Sequence, residues 1–450
     1  MTWEDLVSTA LVGTDRRPYG ADLLADAAVE VVRRRAGQQP AAHGGEIDVA
    51  PEEEREAVGR AAARRLVRIL AGQYIRVLPE WLAAAAASGR RAPAHALPDL
   101  LERGRRDRSM RAHLGVLAGE RGRWLARRNP DWAYLLEEAT GEPGGQVWEL
   151  GGAGDRRAHL ALLRATDPAR ARGLLEETWE RETPDDRAEF VGVLADGLTM
   201  DDEPFLEAAL DDRRREVRQQ AANLLTCLPE SRLARRMAER LARVIDVIGP
   251  GEIAVNPPEE CDRAMERDGV RAKPPRGIGE RAWWLQQLIA RAPLALWGDP
   301  DGVVRGRIPD WEDEVRAGWV RGAVLQRDPA WARAMFAWDP IADLLAVLPP
   351  EERQHLAADF VKNREMDSQL IMVLGGVPAP WHDALAAAVL RKIVQVATTQ
   401  PWNLGELGRL AAERIDPALC DLPMLARPDP NVQEVAALLR FRADMLKELE

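Results

Sequence analysis

The chain has 450 residues, of which 46% are hydrophobic and 30% charged, and a formal net charge of −11. This composition excludes a disordered chain, and the absence of an apolar run of about 18 residues argues against a transmembrane helix. Three scattered cysteines argue against a disulfide framework and the acidic start against a signal peptide, so we expect a cytoplasmic protein.

Charge is distributed unevenly along the chain. Residues 1–128 hold 22 Arg, no Lys and 17 acidic residues, a balance of +5. Residues 129–450 hold 40 basic and 56 acidic residues, a balance of −16. A basic front and an acidic body can steer partners of either sign, although a mixed soluble surface explains the asymmetry more simply.

The first region, residues 1–145, has helical periodicity and almost no strand signal. Two loops are predicted, at Ala36–Ala50 and at Gly141–Gly154. The predicted helices are Trp3–Val12, Ala21–Arg35, Glu52–Leu70, Leu78–Ala87, Leu97–Leu117 and Asp131–Glu138.

Asp-Pro pairs mark predicted helix starts. The Asp carboxylate accepts an unpaired backbone N–H of the first turn, and Pro has no N–H to lose there. We expect most of these pairs to open helices. They lie at 167–168, 299–300, 328–329, 339–340, 416–417 and 429–430, with Asn-Pro at 129–130.

Residues 146–248 contain a repeat with a period of 31 residues. Each unit has the pattern of two amphipathic helices joined by a short turn. One such pair cannot bury its apolar face alone, so the units must stack, and the pattern predicts a HEAT-like α-solenoid. The aligned positions are Leu160/Val191/Ala222, Leu163/Leu194/Leu225, Leu175/Leu206/Met237 and Arg156/Arg187/Arg218.

Residues 249–280 interrupt the repeat with five Pro and five Gly, leaving room for one short helix near Glu259–Arg267. Two interpretations stay open: an inter-domain linker, or an ordered loop that lines the concave groove of the solenoid. Apolar residues such as Ile253 and Met265 favour anchoring. In the ordered case the contact candidates are Cys261, Asp262, Arg263, Arg267, Asp268 and Lys273.

The last region, residues 281–450, is rich in tryptophan, with nine of the fifteen Trp between 283 and 402. A second, distorted half of the solenoid is the simplest account. Trp283 and Trp284 point about 100° apart on a helix, so one can lie in the core and the other at an interface with a partner, although Trp at helical spacing more often belongs to the core. The predicted helices are Arg281–Leu296, Trp311–Gln326, Pro329–Ala337, Ile341–Leu348, Pro350–Lys362, Trp381–Val396, Leu404–Glu413 and Asn431–Leu446.

Three segments resemble an uncharacterised bacterial domain-of-unknown-function family of actinobacterial type, over the full length of the chain. They are Leu11–Pro18 (LVGTDRRP), Ala208–Leu225 (AALDDRRREVRQQAANLL), which also has the form of a HEAT repeat, and Lys273–Leu285 (KPPRGIGERAWWL). Members of that family are often encoded beside MoxR-type AAA ATPases, von Willebrand A-domain proteins and SWIM zinc-finger proteins. The resemblance therefore implies a partner in such an assembly. Arg16 and Arg17 either contact a partner or dock onto acidic repeats of the same chain.

Motifs for catalysis, metal binding or nucleotide binding are missing from the sequence. It contains no P-loop, no closely spaced His or Cys ligands and no Gly-x-Ser-x-Gly, so we predict no catalytic residue, no metal and no cofactor. Cys261 is the one candidate for a reactive thiol, which leaves an unrecognised enzyme with a site around Cys261–Lys273 as a third alternative.

The sequence thus predicts an all-α HEAT-like solenoid that acts as a non-catalytic protein-binding scaffold or adaptor, without a membrane partner. Its candidate partner contacts are Arg16, Arg17, Asp262, Arg263, Arg267, Asp268, Lys273, Trp283 and Trp284. The alternative is a nucleic-acid-binding solenoid that uses the basic segment 101–128, since Arg binds phosphates well. Its candidate contacts are Arg103, Arg105, Arg106, Arg108 and Arg111.

Overall fold

A computed structural model describes residues 3–14, 16, 19, 22–37, 48–137, 145–249, 252–399 and 404–450 of the chain. The chain divides into two compact units, Met1–Glu52 and Glu53–Glu450. Within the described residues the secondary structure comprises 26 α-helices, several short 3-10 turns and one two-stranded sheet. The prediction of an all-α fold is confirmed.

The first unit contains two helices that pack on each other, α1 (Trp3–Val12) and α2 (Leu23–Gly37). The carboxylate of Asp22 accepts the backbone N–H groups of Leu24 and Ala25 at 3.0 and 3.2 Å, which satisfies free donors at the start of α2. Most of the loop predicted at Ala36–Ala50 lies outside the described residues.

The second unit holds the remaining helices and the sheet. Its strands β1 (Ile245–Gly249) and β2 (Glu252–Val255) pair antiparallel, with Ile245 opposite Val255. The helices are α3 (Arg60–Leu70), α4 (Leu78–Ala87), α5 (Leu97–Arg106), α6 (Arg111–Leu117), α7 (Gly119–Arg128), α8 (Tyr134–Glu137), α9 (Gly145–Leu150), α10 (Ala153–Thr166), α11 (Pro168–Thr178), α12 (Pro184–Val193), α13 (Glu203–Ala209), α14 (Arg215–Thr226), α15 (Arg232–Leu241), α16 (Arg263–Arg267), α17 (Glu280–Arg291), α18 (Pro300–Val303), α19 (Glu312–Gln326), α20 (Pro329–Trp338), α21 (Ala342–Val347), α22 (Pro350–Asn363), α23 (Ser368–Gly375), α24 (Asp383–Thr399), α25 (Leu404–Arg414) and α26 (Pro430–Leu449).

Asp-Pro pairs open helices where the sequence predicts. Asp167, Asp299, Asp328 and Asp429 each cap a helix with Pro at its first position and accept a backbone N–H of the first turn. Asp339 differs, because it follows the last residue of α20 and its backbone N–H bonds back to Met335.

Two hydrophobic cores lie in the second unit. The first is formed by α3–α8, and the second extends from α9 to the start of α26. The 20-residue helix α26 belongs to both. Val432 and Leu439 lie in the second core, whereas Phe441, Met445 and Leu449 complete the first.

Buried ion pairs hold α26 against the first core. Arg65 of α3 donates two hydrogen bonds of 2.6 Å to the carboxylate of Glu448, and Arg442 of α26 donates to both oxygens of Glu80 on α4 at 2.7 and 3.0 Å. The remaining nitrogen of each guanidinium donates to backbone carbonyls, so all three nitrogens of each arginine make hydrogen bonds.

The repeat predicted for residues 146–248 corresponds to three successive helix pairs, α10–α11, α12–α13 and α14–α15. The first helices pack in series, α10 on α12 and α12 on α14. Equivalent positions are buried in all three pairs, as the period of 31 residues requires. The fully buried sets are Leu160/Val191/Ala222 and Leu175/Leu206/Met237.

Several predicted bounds are wrong. The helix predicted from Glu52 begins at Arg60, because the preceding segment lies extended and its Val58 N–H bonds to the carbonyl of Arg91. The helix predicted over Leu97–Leu117 breaks at Asp107, whose side chain caps a new turn by accepting the Ser109 N–H.

Two predicted loops contain regular structure. Helices α9 and α10 occupy most of the described part of the loop predicted at Gly141–Gly154. The hairpin β1–β2 overlaps the start of the 249–280 segment, where we expected one short helix and no strand.

Candidate functional site

The segment between β2 and α17 is docked onto the repeat helices by a network of ion pairs. Asp268 is 1% exposed and accepts hydrogen bonds from Arg236 of α15, at 2.8 and 3.0 Å. Arg240 of α15 approaches the same carboxylate to 2.6 Å. Arg267 pairs with Asp211 beyond α13, at 2.7 and 2.8 Å. These contacts, together with the buried Met265, make the segment an ordered part of the second unit.

Most candidate contacts on this segment serve the fold itself. The Asp262 carboxylate caps α16 by accepting the N–H of Met265 at 2.7 Å. Arg267 and Asp268 are engaged in the ion-pair network, and Arg263 is exposed at the start of α16. Lys273 is exposed and lines a cleft described below.

Both tryptophans at 283 and 284 are buried, with 6% and 7% of their surface exposed. Both belong to the core, and the alternative that one of them stays partly exposed is wrong, because α17 packs against both α15 and α19 and is buried on several faces. The indole N–H of Trp284 donates to the carbonyl of Ala272 at 2.8 Å, which anchors the docked segment.

Of the two candidate arginines in the first unit, Arg16 lies within the described residues. Arg16 is exposed, and its backbone N–H donates to the carbonyl of Gly13 at 3.2 Å. Arg17 lies outside the described residues.

The basic segment 101–128 is partly neutralised from within. Arg105 and Arg106 both pair with Glu102, at 2.6 and 2.9 Å, and the hydrogen bond from Arg105 helps lower the pKa of Glu102 to about 2. Arg111 donates to the carbonyl of Gly104 at 3.0 Å and lies over the ring of a tyrosine. The two other candidates are half-buried (Arg103) and exposed (Arg108).

The candidate thiol has the wrong chemistry for a nucleophile. Burial and the neighbouring charges of Glu266 and Asp262 raise the pKa of Cys261 to about 11. A thiol with this pKa is protonated at neutral pH, whereas reactive cysteines have lowered values. Among the described residues, no three His, Cys, Asp or Glu side chains come together as metal ligands would.

A cleft of about 220 Å³ lies where the docked segment meets the first turns of α14. It is lined by more cationic than anionic side chains: four basic residues surround it against the single acid Glu266. The lining residues are Arg215, Arg218, Gln219, Glu266, Gly269, Val270, Arg271, Ala272 and Lys273.

Hydrogen bonds to uncharged groups fix two of the cleft arginines. Arg218 donates to the carbonyls of Asp212 and Arg213 at 2.8 and 3.1 Å, and Arg271 donates to the side-chain oxygen of Gln219 at 3.0 Å. Since these acceptors are neutral, both guanidinium charges stay uncompensated.

A further arginine is buried behind the cleft. Arg291, at the end of α17, is 3% exposed and donates to the Thr226 hydroxyl at 3.2 Å, the Asn223 side chain at 3.1 Å and the Gly269 carbonyl at 3.3 Å. Burial, followed by repulsion from Arg321 and Arg271, lowers the pKa of Arg291 to about 9, so it remains charged at neutral pH.

Sequence reasoning found Lys273 but missed the arginines that surround it. The repeat aligns Arg218 with Arg156 and Arg187, which indicates a structural role, and Arg215 stands in the HEAT-like segment. Arg291 ends a helix, where a solvated charge is common. The sequence did contain one sign of a buried arginine. Gln287 and Arg291 stand four residues apart on the face of α17 that begins with Trp283, so polar groups lie on a buried stripe.

Together these features define an all-α protein of paired helices with an ordered inserted segment and a cationic cleft beside it. The chain belongs to the family of unknown function DUF5691, whose model matches residues 5–449. The resemblance to a domain-of-unknown-function family is thereby confirmed. Neither a curated protein nor a solved structure matches the chain. No helix in the described part of the chain has both the length and the apolar character needed to cross a bilayer.

Proposed function

We propose that this protein is a cytoplasmic HEAT-like α-solenoid that acts as a non-catalytic scaffold or adaptor for another protein. The observation that carries the proposal is the equivalence of buried positions across α10–α15. Helix pairs that repeat at a constant period build extended surfaces, and such surfaces bind macromolecular partners.

The outward faces of the same helices support a binding role. They carry charged side chains in ion pairs, such as the exposed pair of Arg157 with Glu189, and the exposed Arg232 with the largely buried Glu203 at 2.8 Å. Leu162 of α10 is an exception, since 71% of its surface is exposed although it lies beside buried positions. Interfaces between separately folded proteins are about as apolar as the rest of the protein surface, so a surface of this composition is compatible with one.

The docked segment between β2 and α17 forms part of the same surface. Because Arg236 bridges Glu207 of α13 and Asp268 of the segment, the segment is fixed on the repeats. A partner that contacts α14 therefore meets the segment as well. The first class of partner to test is the AAA ATPase or von Willebrand A-domain assembly that the family resemblance implies.

The test is affinity capture of the tagged full chain from native lysate, with and without nuclease, beside the variant Arg105→Gln/Arg106→Gln. We expect one protein partner to be retained under nuclease treatment and by the variant, because both arginines are already paired with Glu102. Loss of the captured material with nuclease, together with its loss in the variant, would refute the scaffold and favour binding of nucleic acid through the basic segment.

A further inference from the structure

We propose that the cationic cleft between α14 and the docked segment binds the carboxylate side chains of an acidic peptide segment on the partner protein. The cleft comprises Arg215, Arg218, Arg271 and Lys273 with Glu266 at its rim. This inference rests on the scaffold function and names the chemistry of the group that the scaffold recognises.

The charge of the cleft lacks an internal counter-ion. Among the described residues, no carboxylate lies within 4.0 Å of the charged nitrogens of Arg218, Arg271, Lys273 or Arg291, and Arg215 has only an exposed contact of 3.5 Å with Glu216. Such exposed pairs contribute little. An external anion is therefore the natural counter-ion of this cluster.

Apart from Glu266 in its lining, the acidic residues of the docked segment and of the α13 region that could neutralise the cleft are engaged elsewhere. Asp268 is shared by Arg236 and Arg240, and Glu207 and Asp211 are held by Arg236 and Arg267. Within the described residues, Arg218 and Arg271 are therefore left without an ion-pair partner, although the body of the protein is acidic overall.

Hydrogen bonds to uncharged groups orient the cationic side chains of the cleft before a ligand binds. Arg271 is oriented by Gln219, and its backbone N–H donates to Gln287 at 2.8 Å. Arg291 donates to the carbonyl of Gly269, which lines the cleft, so a fifth positive charge lies behind the four basic residues of the lining. A site whose donors are fixed before binding loses less entropy when it binds.

Size and overall charge select a peptide over other anions. A volume of about 220 Å³ accommodates one or two carboxylate side chains, whereas pockets for nucleotide-sized ligands are usually larger, about 300–1,000 Å³. Residues 129–450 carry 56 acidic against 40 basic residues, so this body repels a long polyanion such as nucleic acid. A short acidic segment reaches the cleft without covering that acidic surface.

The first test measures the binding of a fluorescein-labelled peptide of alternating Asp and Glu to the full chain by fluorescence anisotropy. The cleft variant is Arg271→Gln/Lys273→Gln, and the matched control with the same charge change is Arg105→Gln/Arg106→Gln. Both pairs are exposed on the surface, and Gln at 271 can still donate to Gln219, so we expect both variants to fold like the wild type, which melting curves will check.

We expect the cleft variant to bind the peptide at least about tenfold more weakly, since each lost charge-assisted contact contributes about that factor. The control variant should bind like the wild type, and the same peptide with Asn and Gln should not bind. Equal weakening in both double variants would overturn the proposal, because it would show that the peptide is attracted by the positive charge of the protein in general and not bound at the cleft. Displacement of the peptide by inorganic phosphate at physiological concentration would also overturn it in favour of a small-anion site.

Capture from lysate separates this inference from the scaffold function. If the cleft variant loses the protein partner that the control variant keeps, the cleft is the recognition site. If the cleft variant keeps the partner and binds the peptide normally, the cleft proposal fails while the scaffold stands. If no protein is captured by any form of the chain, the scaffold fails, whatever the peptide does.

Discussion

Replacement of Asp202 by Asn should destabilise the repeat helices strongly. Asp202 and Arg164 form an ion pair in which neither side chain is exposed. Arg164 comes from α10 and Asp202 precedes α13, so the pair joins the first helix pair to the second. Asn keeps the shape of the side chain and removes its charge.

The expected cost follows from the partners of the two groups. The Asp202 carboxylate accepts two hydrogen bonds from Arg164, at 2.5 and 3.0 Å, one from Arg172 at 2.8 Å and one from the Thr199 N–H at 3.0 Å. Asn has one acceptor oxygen and turns an amino group toward a guanidinium. Removal of one partner from a buried pair costs about 3–5 kcal/mol, because the other charge is left buried.

Hydrogen–deuterium exchange of peptides from α10–α13 measures this cost locally. A loss of about 3 kcal/mol in local opening free energy accelerates exchange of the protected amides by roughly a hundredfold. The matched control is Asp201→Asn, an identical change at the preceding, exposed residue, which should shift the opening free energy by less than about 0.5 kcal/mol.

The effect also has a defined pH dependence. Burial alone would raise the pKa of Asp202. The hydrogen bonds from Arg164, the Thr199 backbone and Arg172 outweigh burial, so the pKa is lowered. The contribution of the pair is therefore fully present above the unfolded-state pKa of about 3.9 and is lost as the pH falls through the lower folded-state value. Equal exchange rates in wild type and Asp202→Asn at neutral pH, or a difference that grows on acidification, would refute the reasoning.

Three further predictions address the repeat, the thiol and the last helix. Leu194→Asp should unfold the repeat helices, because burying an unpaired carboxylate at this 0%-exposed position costs more than about 3 kcal/mol; circular dichroism should show a lower melting temperature that Leu162→Asp at an exposed site does not share. Cys261 should react slowly with iodoacetamide at pH 8 and faster as the pH approaches 11, and rapid labelling at neutral pH would contradict its protonated state. Glu80→Gln should leave the buried guanidinium of Arg442 without its carboxylate and lower the free energy of unfolding by about 2 kcal/mol, less than for a fully buried pair because Glu80 is partly exposed. Urea unfolding measures this loss, and an unchanged midpoint would contradict the prediction.

The elements with strong local signals could be predicted from the sequence. The bounds of α1 and α4 agree with the prediction, and the positions of the repeat, such as Leu160 and Leu175, are buried as their period requires. In both cases the apolar spacing and the helix starts determine the structure locally. The hairpin β1–β2 also had a signal, since Val and Ile flank a Gly-Pro-Gly sequence, but the surrounding helical periodicity masked it.

The cleft could not be predicted, because its charges come from separate parts of the chain. Arg218, Arg271 and Arg291 meet only because the docked segment lies across α14 and α17. Arg218 and Arg271 each have acidic residues near them in the sequence, which suggests neutralisation. The net charge of the cleft depends on which of those acidic residues already form ion pairs in the network around Asp268. Only tertiary contacts determine these pairs.

The shared position of α26 has a consequence for synthesis on the ribosome. Helices α3–α8 leave the ribosome first, and Phe441, Met445 and Leu449, which complete their core, are translated much later. At 5–20 residues per second, the roughly 300 intervening residues take about 15–60 s. During that interval the apolar surface that later receives α26 is open to chaperones or to other nascent chains. The core of α3–α8 can therefore close only after α26 has been translated.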